Sequence, residues 1–375
     1  MSGFLKVLAD WPIERVERLL ADQNNPDAVR RALNEEGLFS PENFAALLSP
    51  AAEEFLRPAT AVAGRLTRRH FGRAVQFFVP LYVSNICCNG CVYCGFNCKS
   101  KSTVRRALSL DEAEAEAEYL AKQGFSHLLL VASEDLKNTP PLYFAQLAER
   151  IRHLFASIHV EIYAVSEPDY RMFVEAGIDG VTMFQETYKR TEYARYHPSG
   201  PKADFENRFD AVERAARAGM TFLGLGALLG LTEWRSEVFY LGLHADYLRR
   251  SCWRQNVSIS FPRMRPADGG EPPPFTVGDR DFVQLMTALR IQFPETCMTI
   301  STREPAGFRE HLVDIAATKL SAGAKTTPGG YSDATEAGAQ FDIADHRSLV
   351  ELSQVLTKMG YDPVLKDWDR SYGAA

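Results

Sequence analysis

From about residue 75 onward, the hydrophobic positions of the chain follow a repeating scheme. A short apolar, β-branched run is followed by a polar turn and then by a longer amphipathic stretch. The short runs predict strands, and the longer stretches, whose apolar residues recur at helical spacing, predict helices. The predicted strands are residues 75–83, 127–131, 160–165, 180–184, 222–228, 257–261, 298–301 and 319–323. The predicted helices include residues 110–122, 142–156, 205–218, 236–250, 282–293, 308–316 and 347–359.

Eight strand–helix units follow one another, and no hairpin signal interrupts them. Sequential parallel units of this kind close most naturally into a (β/α)8 barrel, so we predict this α/β fold, a TIM-type barrel. An open, doubly wound sheet is the alternative. Four glycines follow predicted helices at positions typical of left-handed C-caps: Gly124, Gly177, Gly219 and Gly360.

Residues 1–72 have a different pattern, with helical stretches at 11–20, 26–34, 41–48 and 51–69 joined by short polar turns. Pro41 and Pro50 each follow a serine directly, which is typical of a first helical position. We therefore predict two parts. Residues 1–72 form a helical N-terminal extension packed on the barrel, and residues 73–375 form the barrel with a short C-terminal tail.

The composition is that of an ordinary globular protein, because 46% of the 375 residues are hydrophobic and 24% are charged. The formal net charge of −6 argues against binding to nucleic acid or to anionic membranes. No apolar run approaches the ~18 residues that span a bilayer. Residues 1–20 carry charges throughout and lack a signal-peptide cleavage site. We therefore expect a cytoplasmic location, with neither nucleic acid nor a membrane as a partner.

Five of the seven cysteines lie close together, between Cys87 and Cys98. An odd number of cysteines in an unsecreted chain argues against a disulfide framework and favours metal binding or redox chemistry. Cys87, Cys91 and Cys94 have the spacing C-x3-C-x2-C directly after the first predicted strand. Three thiolates on one loop can ligate three irons of a 4Fe-4S cluster and leave the fourth iron open to a substrate or cofactor.

Two other interpretations of this loop stay open. A structural zinc site takes four ligands, usually as two separated pairs, and no second pair occurs in the sequence. Cys88 and Cys98 offer different spacings, among them a four-cysteine set for an electron-transfer cluster or for zinc. Under either interpretation the chain would be a non-catalytic scaffold or electron carrier.

The spacing C-x3-C-x-aromatic-C, with Tyr93 at the aromatic position, resembles the signature of the radical S-adenosylmethionine superfamily. Six segments resemble one family within it, the 2-iminoacetate synthases, which are the tyrosine lyases of bacterial thiamine thiazole synthesis. These segments are residues 82–96, 184–188, 261–266, 301–304, 329–331 and 366–369. Together the six segments are far more specific than the three cysteines alone.

The resemblance implies a reaction and its cofactors. A 4Fe-4S cluster would bind S-adenosylmethionine and cleave it reductively to methionine and a 5′-deoxyadenosyl radical. That radical would abstract a hydrogen atom from the amino group of L-tyrosine, and Cα–Cβ scission would give 2-iminoacetate (dehydroglycine) and p-cresol. The cofactors supply the hard chemistry, and the protein supplies orientation and exclusion of water. The implied partners are a flavodoxin or ferredoxin-type reductant and thiazole synthase, which consumes the readily hydrolysed imine.

The family pattern also assigns residues to S-adenosylmethionine, beside Tyr93. Glu134 would meet the methionine amino group, although Ser133 replaces the usual glycine before it. Glu186 closes the fourth predicted strand, where relatives contact the cofactor. Arg208 would pair with the methionine carboxylate, and Gly226 belongs to a glycine-rich strand that would support adenine. The alternatives are a helix-start acid for Glu134, a surface salt bridge for Arg208 and close packing for Gly226.

For the tyrosine substrate, Arg303 after the seventh predicted strand is the expected carboxylate clamp, because an apolar cavity needs a fixed cation to hold a carboxylate. Ser321 and Tyr82 are its expected companions by family position, and Tyr82 could equally be a core residue. Arg263 and Arg265 either line the same cavity or pair with acids lower in the barrel.

Two related activities are alternatives within the superfamily. A hydrogenase-maturation tyrosine lyase shares the segment 197–202 but carries an added C-terminal domain with a second cysteine cluster. No cysteine follows Cys297 in this sequence, so we expect the thiamine-type lyase instead. A tryptophan lyase is the other alternative, because a few pocket residues decide which aromatic amino acid is bound.

Overall fold

The computed structural model describes residues 3–332 and 335–365. Its first part is helical throughout, in keeping with the periodicity of the sequence. The helices are α1 (Gly3–Asp10), α2 (Ile13–Asp22), α3 (Pro26–Asn34), α4 (Pro41–Leu48), a short 3-10 helix (Pro50–Phe55) and α5 (Leu56–Phe71). Asn25 and Ser40 cap α3 and α4 with their side-chain oxygens, and each cap is followed by proline at the first helical position.

Parallel strands then form a barrel. The strands of the barrel are β1 (Ala74–Ser84), β2 (His127–Ala132), β3 (Ser157–Glu161), β4 (Gly180–Glu186), β5 (Phe222–Ala227), β6 (Asn256–Ser260), β7 (Cys297–Ile300) and β8 (Lys319–Ser321). Each strand pairs with the next, and β1 pairs with both β2 and β8, so the sheet is closed. This confirms the predicted (β/α)8 barrel, and the open-sheet alternative is wrong.

Helices cover the outside of the barrel. They are α6 (Leu110–Lys122), α7 (Pro141–Ile151), α8 (Glu167–Ala176), α9 (Arg190–Tyr196), α10 (Phe205–Arg217), α11 (Trp234–Ser251), α12 (Asp279–Gln292), α13 (Phe308–Ile315) and α14 (Leu349–Lys358), with a short 3-10 helix at Pro201–Ala203. Reciprocal Ser–Glu capping boxes start α6 at Ser109 and α14 at Ser348. The four predicted C-cap glycines all have positive φ angles.

Three details differ from the sequence prediction. The third strand ends at Glu161, whereas the apolar pattern placed it over residues 160–165. Helices α1, α8 and α9 were not predicted. A further short strand, β9 (Asp362–Val364), pairs in parallel with the first residues of β1. Gln76 of β1 pairs with both β8 and β9. The strand β9 therefore pairs with the edge of β1 that faces away from β8, which is the edge that also pairs with β2.

The N-terminal helices pack against the helical layer of the barrel. Phe4 stacks on His244 of α11 at 4.1 Å between ring centroids and on Phe209 of α10 at 5.2 Å. The Gln284 side chain donates hydrogen bonds to two carbonyls at the end of α4. These helices and the barrel share one hydrophobic cluster. The two segments on either side of residue 72 therefore share one hydrophobic core. Their division into two parts stays a prediction.

None of the described helices is long and apolar enough to cross a membrane. The family-like segment 366–369 lies outside the described residues.

Candidate active site

A cavity opens at the carboxyl ends of the barrel strands, where barrel enzymes place their active sites. All eight barrel strands contribute to its wall. The structure brings ten of the eleven predicted site residues to this one cavity, namely Tyr82, Cys87, Cys91, Tyr93, Cys94, Glu134, Glu186, Arg208, Arg303 and Ser321. The eleventh, Gly226, is not among the lining residues, because the ring of Phe184 occupies the space that its Cβ would need.

The loop after β1 carries the three cysteines of the C-x3-C-x2-C motif into the cavity. Arg105 holds this loop in shape by donating hydrogen bonds to the carbonyls of Asn85 (2.7 Å), Phe96 (2.9 Å) and Asn97 (2.6 Å). A partly buried guanidinium bound to several carbonyls at once fixes the backbone that presents the thiols.

The donor set of this loop fits a three-ligand 4Fe-4S cluster. The backbone N–H groups of Asn89 and Phe96 point at the sulfurs of Cys87 and Cys94, each at 3.4 Å. Hydrogen bonds of this kind to ligating sulfurs are typical of iron–sulfur sites and tune their potential. Cys88 and Cys98 are exposed and do not line the cavity. Among the described residues, no group of three His, Cys, Asp or Glu converges closely enough to hold a single metal ion.

Tyr93 stands on the cavity wall in a fixed orientation. Its hydroxyl lies 2.8 Å from Nε2 of His197, and Nδ1 of His197 lies 2.8 Å from the carbonyl oxygen of Tyr193. Since a carbonyl only accepts, Nδ1 carries the proton and Nε2 accepts from Tyr93. Lys202 lies over the Tyr93 ring at 5.7 Å.

Glu134 also faces the cavity, in the loop between β2 and α7. Its carboxylate accepts a hydrogen bond of 2.7 Å from the side chain of Asn89 in the cysteine loop. Helix α7 begins only at Pro141, so Glu134 is not an acid of a first helical turn. The Ser133 hydroxyl donates to the carbonyl of Ile86 at 2.6 Å, which ties the end of β2 to the cysteine loop.

Glu186 closes β4 at an irregular register, and it is the only non-glycine residue with positive φ in the described part of the chain. Backbone strain of this kind concentrates at functional sites. Its carboxylate lies 2.6 Å from Nζ of Lys202 and 3.5 Å from the guanidinium of Arg208. Burial raises the pKa of Glu186, but the two cations outweigh burial and hold that pKa below its usual range.

Arg208 is buried, so the surface salt-bridge alternative does not describe it. Its Nε donates to the carbonyl of Phe184 at 2.6 Å, which fixes the guanidinium beside Glu186. Lys202 completes this group, and the sequence analysis did not single it out. The only signal was its place in the segment 197–202, which carried the resemblance to the hydrogenase-maturation lyases.

Arg303, Tyr82 and Ser321 meet on the opposite side of the cavity from this charged group. The Arg303 guanidinium lies over the ring of Phe341 at 3.3 Å, and it makes no hydrogen bond to any described residue. The Tyr82 hydroxyl donates to the side chain of Gln340 at 2.7 Å. The Ser321 hydroxyl accepts from the backbone N–H of Thr302 at 3.0 Å. Tyr82 is thus buried and also belongs to the cavity wall.

Arg263 and Arg265 both pair with Glu304, Arg265 at 3.3 Å. Arg263 also pairs with Asp279 at 2.7 Å and does not line the cavity, whereas Arg265 does. Of the two predicted alternatives, pairing with acids describes Arg263. Arg265 both lines the cavity and pairs with an acid.

One carboxylate in the cavity was missed by the sequence analysis. Glu161 is the last residue of β3 and lines the cavity. Burial raises its pKa to about 7, although Arg303 favours the charged form. The apolar pattern predicts this strand over residues 160–165, which places Glu161 near the start of the strand and away from the mouth of the barrel.

The closed barrel and the three-cysteine loop at its mouth define a class of enzyme, and comparison with known families agrees. Residues 81–239 match the family described as "Radical SAM superfamily", and residues 260–362 match "Biotin and Thiamin Synthesis associated domain". Such enzymes use a 4Fe-4S cluster and S-adenosylmethionine, the two cofactors that the cysteine motif and its resemblance predicted.

The curated relatives refine this class. The chain is 40% identical over 348 residues to a 2-iminoacetate synthase of Salmonella typhimurium (strain LT2), and 40% identical over 350 residues to that of Escherichia coli (strain K12). Each alignment covers 92% of both chains. The chain belongs to the 2-iminoacetate synthase family, which confirms the resemblance seen in the sequence and the prediction of a radical S-adenosylmethionine lyase.

Among solved structures, the FeFe-hydrogenase maturase HydG from Carboxydothermus hydrogenoformans is similar, with a TM-score of 0.90 at 30% identity. The match covers 98% of this chain and 86% of that chain.

Proposed function

We propose that this protein cleaves the Cα–Cβ bond of L-tyrosine to 2-iminoacetate and p-cresol, while S-adenosylmethionine is cleaved reductively to 5′-deoxyadenosine and methionine. The observation that carries this proposal is one cavity with two chemically different ends. Three thiols line one end, an arginine and a serine line the other, and Tyr82 lies between them, since Cys87 and Cys94 pack against its hydrophobic cluster. Such an arrangement places a cofactor and an amino acid side by side.

At the thiol end, Cys87, Cys91 and Cys94 would hold the cluster, and the acids and cations beside them would hold S-adenosylmethionine. When bound, the two cofactors supply a hydrogen-atom abstractor. Glu134 offers a carboxylate to the methionine ammonium group. Arg208 offers its guanidinium to the methionine carboxylate, for which its planar fork is suited.

At the other end, Arg303 would bind the tyrosine carboxylate. Its guanidinium lies over the ring of Phe341 and is partly buried in the cavity wall, so its donors are available to a planar anion. Tyr82 and Ser321 present hydroxyl groups to the same space. These contacts would fix the amino acid before hydrogen abstraction, which is where an enzyme of this kind gains rate by positioning.

The segment that contains Gln340 and Phe341 closes this end of the cavity. The backbone N–H of Gly95 in the cysteine loop donates to the carbonyl of Gln340 at 3.2 Å, so the segment bridges the two ends. Exclusion of water there would protect 2-iminoacetate from hydrolysis.

The proposal includes the partners that the family resemblance implies. A flavodoxin or ferredoxin-type reductant would deliver the electron, and thiazole synthase would receive the imine. Direct transfer between enzymes suits a product that reacts with water. A cytoplasmic location also stays a prediction from the sequence.

The test is anaerobic reconstitution of the protein with iron and sulfide, followed by reductant, S-adenosylmethionine and L-tyrosine. We expect 5′-deoxyadenosine and p-cresol in matching amounts. Absence of p-cresol would refute the tyrosine-lyase proposal. Formation of 3-methylindole-2-carboxylate from tryptophan would instead favour a tryptophan lyase, and carbon monoxide and cyanide from tyrosine would favour the hydrogenase-maturation type.

A further inference from the structure

Glu161 is a carboxylate at the centre of the barrel mouth that has no role in the proposed mechanism. Its backbone pairs with Val131 of β2, which in turn pairs with Tyr82 of β1. The three residues therefore lie side by side at one level of the sheet. Because β3 and β7 lie on opposite sides of an eight-stranded barrel, Glu161 and Arg303 approach the axis from opposite walls.

The carboxylate of Glu161 makes no hydrogen bond and no ion pair with any described residue, although it lines the cavity. It interacts electrostatically with Arg303, Glu186, Arg208, Lys202 and Tyr82. Lys202 and Arg208 already pair with Glu186. Among the described residues, Arg303 is thus the cation that interacts with Glu161 and has no acid bound to it, and the two groups form no ion pair.

The carboxylate of Glu161 and the guanidinium of Arg303 thus present opposite charges to the same cavity from opposite walls. An α-amino acid carries the complementary charges on one carbon atom, since its ammonium and carboxylate groups are neighbours. Both groups are partly exposed to the cavity, and a partly desolvated charge without a partner is costly, so a ligand that compensates both groups at once is favoured.

We propose that Glu161 binds the α-ammonium group of the amino-acid substrate while Arg303 binds its α-carboxylate. This inference rests on the proposed function, because it names how the substrate of that same cavity is recognised. It assigns the selection of amino acids, as opposed to phenols or carboxylic acids in general, to two residues on opposite walls.

The phenol of tyrosine is the competing partner for Glu161. A phenol is a neutral donor, so it would leave the negative charge of Glu161 uncompensated, whereas an ammonium group satisfies both its charge and its hydrogen-bonding capacity. The elevated pKa of Glu161, about 7, is consistent with a carboxylate that lacks its cation in the free protein.

The experiment measures binding by calorimetry to reconstituted enzyme with S-adenosylmethionine present and reductant omitted, so that no turnover occurs. Three ligands are compared: L-tyrosine, L-phenylalanine and 3-(4-hydroxyphenyl)propionate, which lacks the amino group. For E161Q we expect the affinity for both amino acids to fall about 10- to 100-fold, the effect of losing a charged hydrogen bond. The affinity for the propionate should stay the same or rise. E118Q, at an exposed ion pair on α6, is the control and should match wild type for all three ligands.

Two results would overturn the proposal. A loss for tyrosine with no loss for phenylalanine would assign Glu161 to the phenol, and an equal loss for all three ligands would show a merely structural role. Thermal unfolding of E161Q checks that the variant is folded, and E161D, which keeps the charge, should recover part of the amino-acid affinity. The test is independent of the reaction, because selective binding of amino acids can hold even if no p-cresol is formed.

Discussion

The Tyr93 hydroxyl donates a hydrogen bond of 2.8 Å to Nε2 of His197, at the point where the cysteine loop meets the segment before α10. Burial lowers the pKa of His197 to about 3, so the imidazole is neutral at physiological pH. Its Nδ1–H is used by the Tyr193 carbonyl, which leaves Nε2 as an acceptor for Tyr93 alone. Tyr93 is thereby fixed between the cluster-binding thiols and Lys202.

Replacement of Tyr93 by phenylalanine keeps the ring but leaves a buried acceptor on His197 without a donor. We expect Y93F to lower the free energy of unfolding by about 1–3 kcal/mol, the cost of an unsatisfied buried polar group. Urea denaturation measures this loss. Tyr119, which is partly exposed on α6, supplies the matched control, and Y119F should unfold like wild type. Equal curves for Y93F and wild type would contradict the inferred hydrogen bond.

The three thiols that line the cavity should differ from the two exposed ones. We expect alanine at Cys87, Cys91 or Cys94 to abolish the 4Fe-4S cluster and the cleavage of S-adenosylmethionine, because three ligands are the minimum set on this loop. C88A and C98A should keep both. Iron and sulfide analysis with visible absorption spectroscopy tests this, and loss of the cluster in C98A would show that the ligand set is different.

Glu186 holds two cations, so its neutral isostere should be costly. E186Q leaves Lys202 and Arg208 buried without an anion, and we expect the protein to lose roughly 3–5 kcal/mol of stability. The control is E206Q, because Glu206 pairs with Arg190 at the surface and should contribute less than ~1 kcal/mol. Chemical denaturation compares the two variants. A loss in E186Q no greater than in E206Q would mean that the buried cations are compensated in another way.

Asp345 should contribute to stability in a pH-dependent way. Burial opposes its ionisation, but Arg347 and the fully buried Arg309 outweigh burial and lower the pKa of Asp345 to about 2. A carboxyl whose pKa is lowered on folding stabilises the protein above its unfolded pKa, near 4, and that contribution disappears as the pH falls toward 2.

We therefore expect D345N to be less stable than wild type at pH 6, by about 3 kcal/mol, because the fully buried Arg309 loses its anion, whereas Arg347 keeps Glu310. The difference should shrink steadily between pH 4 and pH 2. Urea denaturation across this range measures it, and a constant difference down to pH 2 would refute the assignment. Since Arg309 also donates to the carbonyl of Ser321, we expect D345N to weaken tyrosine binding as well.

Much of the fold could be predicted because strand and helix periods differ clearly along the chain. The eight barrel strands were located, and α3 and α4 were placed at their observed bounds, since proline and a capping residue mark each start. The third strand was shifted because the apolar run continues after it. Ile162, Tyr163 and Val165 are buried, but they belong to the loop beyond the strand. Burial alone does not distinguish a strand from a packed loop.

The site could be predicted where a motif or a family position marked it, as for the cysteines and Arg303. Glu161 and Lys202 were missed for different reasons. The predicted third strand is shifted by only a few residues, but this shift places Glu161 away from the barrel mouth. Lys202 lies in the short 3-10 helix Pro201–Ala203. Its pairing with Glu186 depends on how the loop after α9 folds back, and hydrophobic periodicity carries no information on that.

The docking of Phe4 has a consequence for synthesis of the chain. Phe4 is translated among the first residues, but its stacking partners Phe209 and His244 follow more than 200 residues later, as does Glu213, which accepts the N–H of Phe4 at a separation of 209 residues. At ~5–20 residues per second, α1 waits roughly 10–50 s for the surface that buries it. The helix that is made first thus docks only after α11 has been made, and its apolar face is available to chaperones throughout that interval.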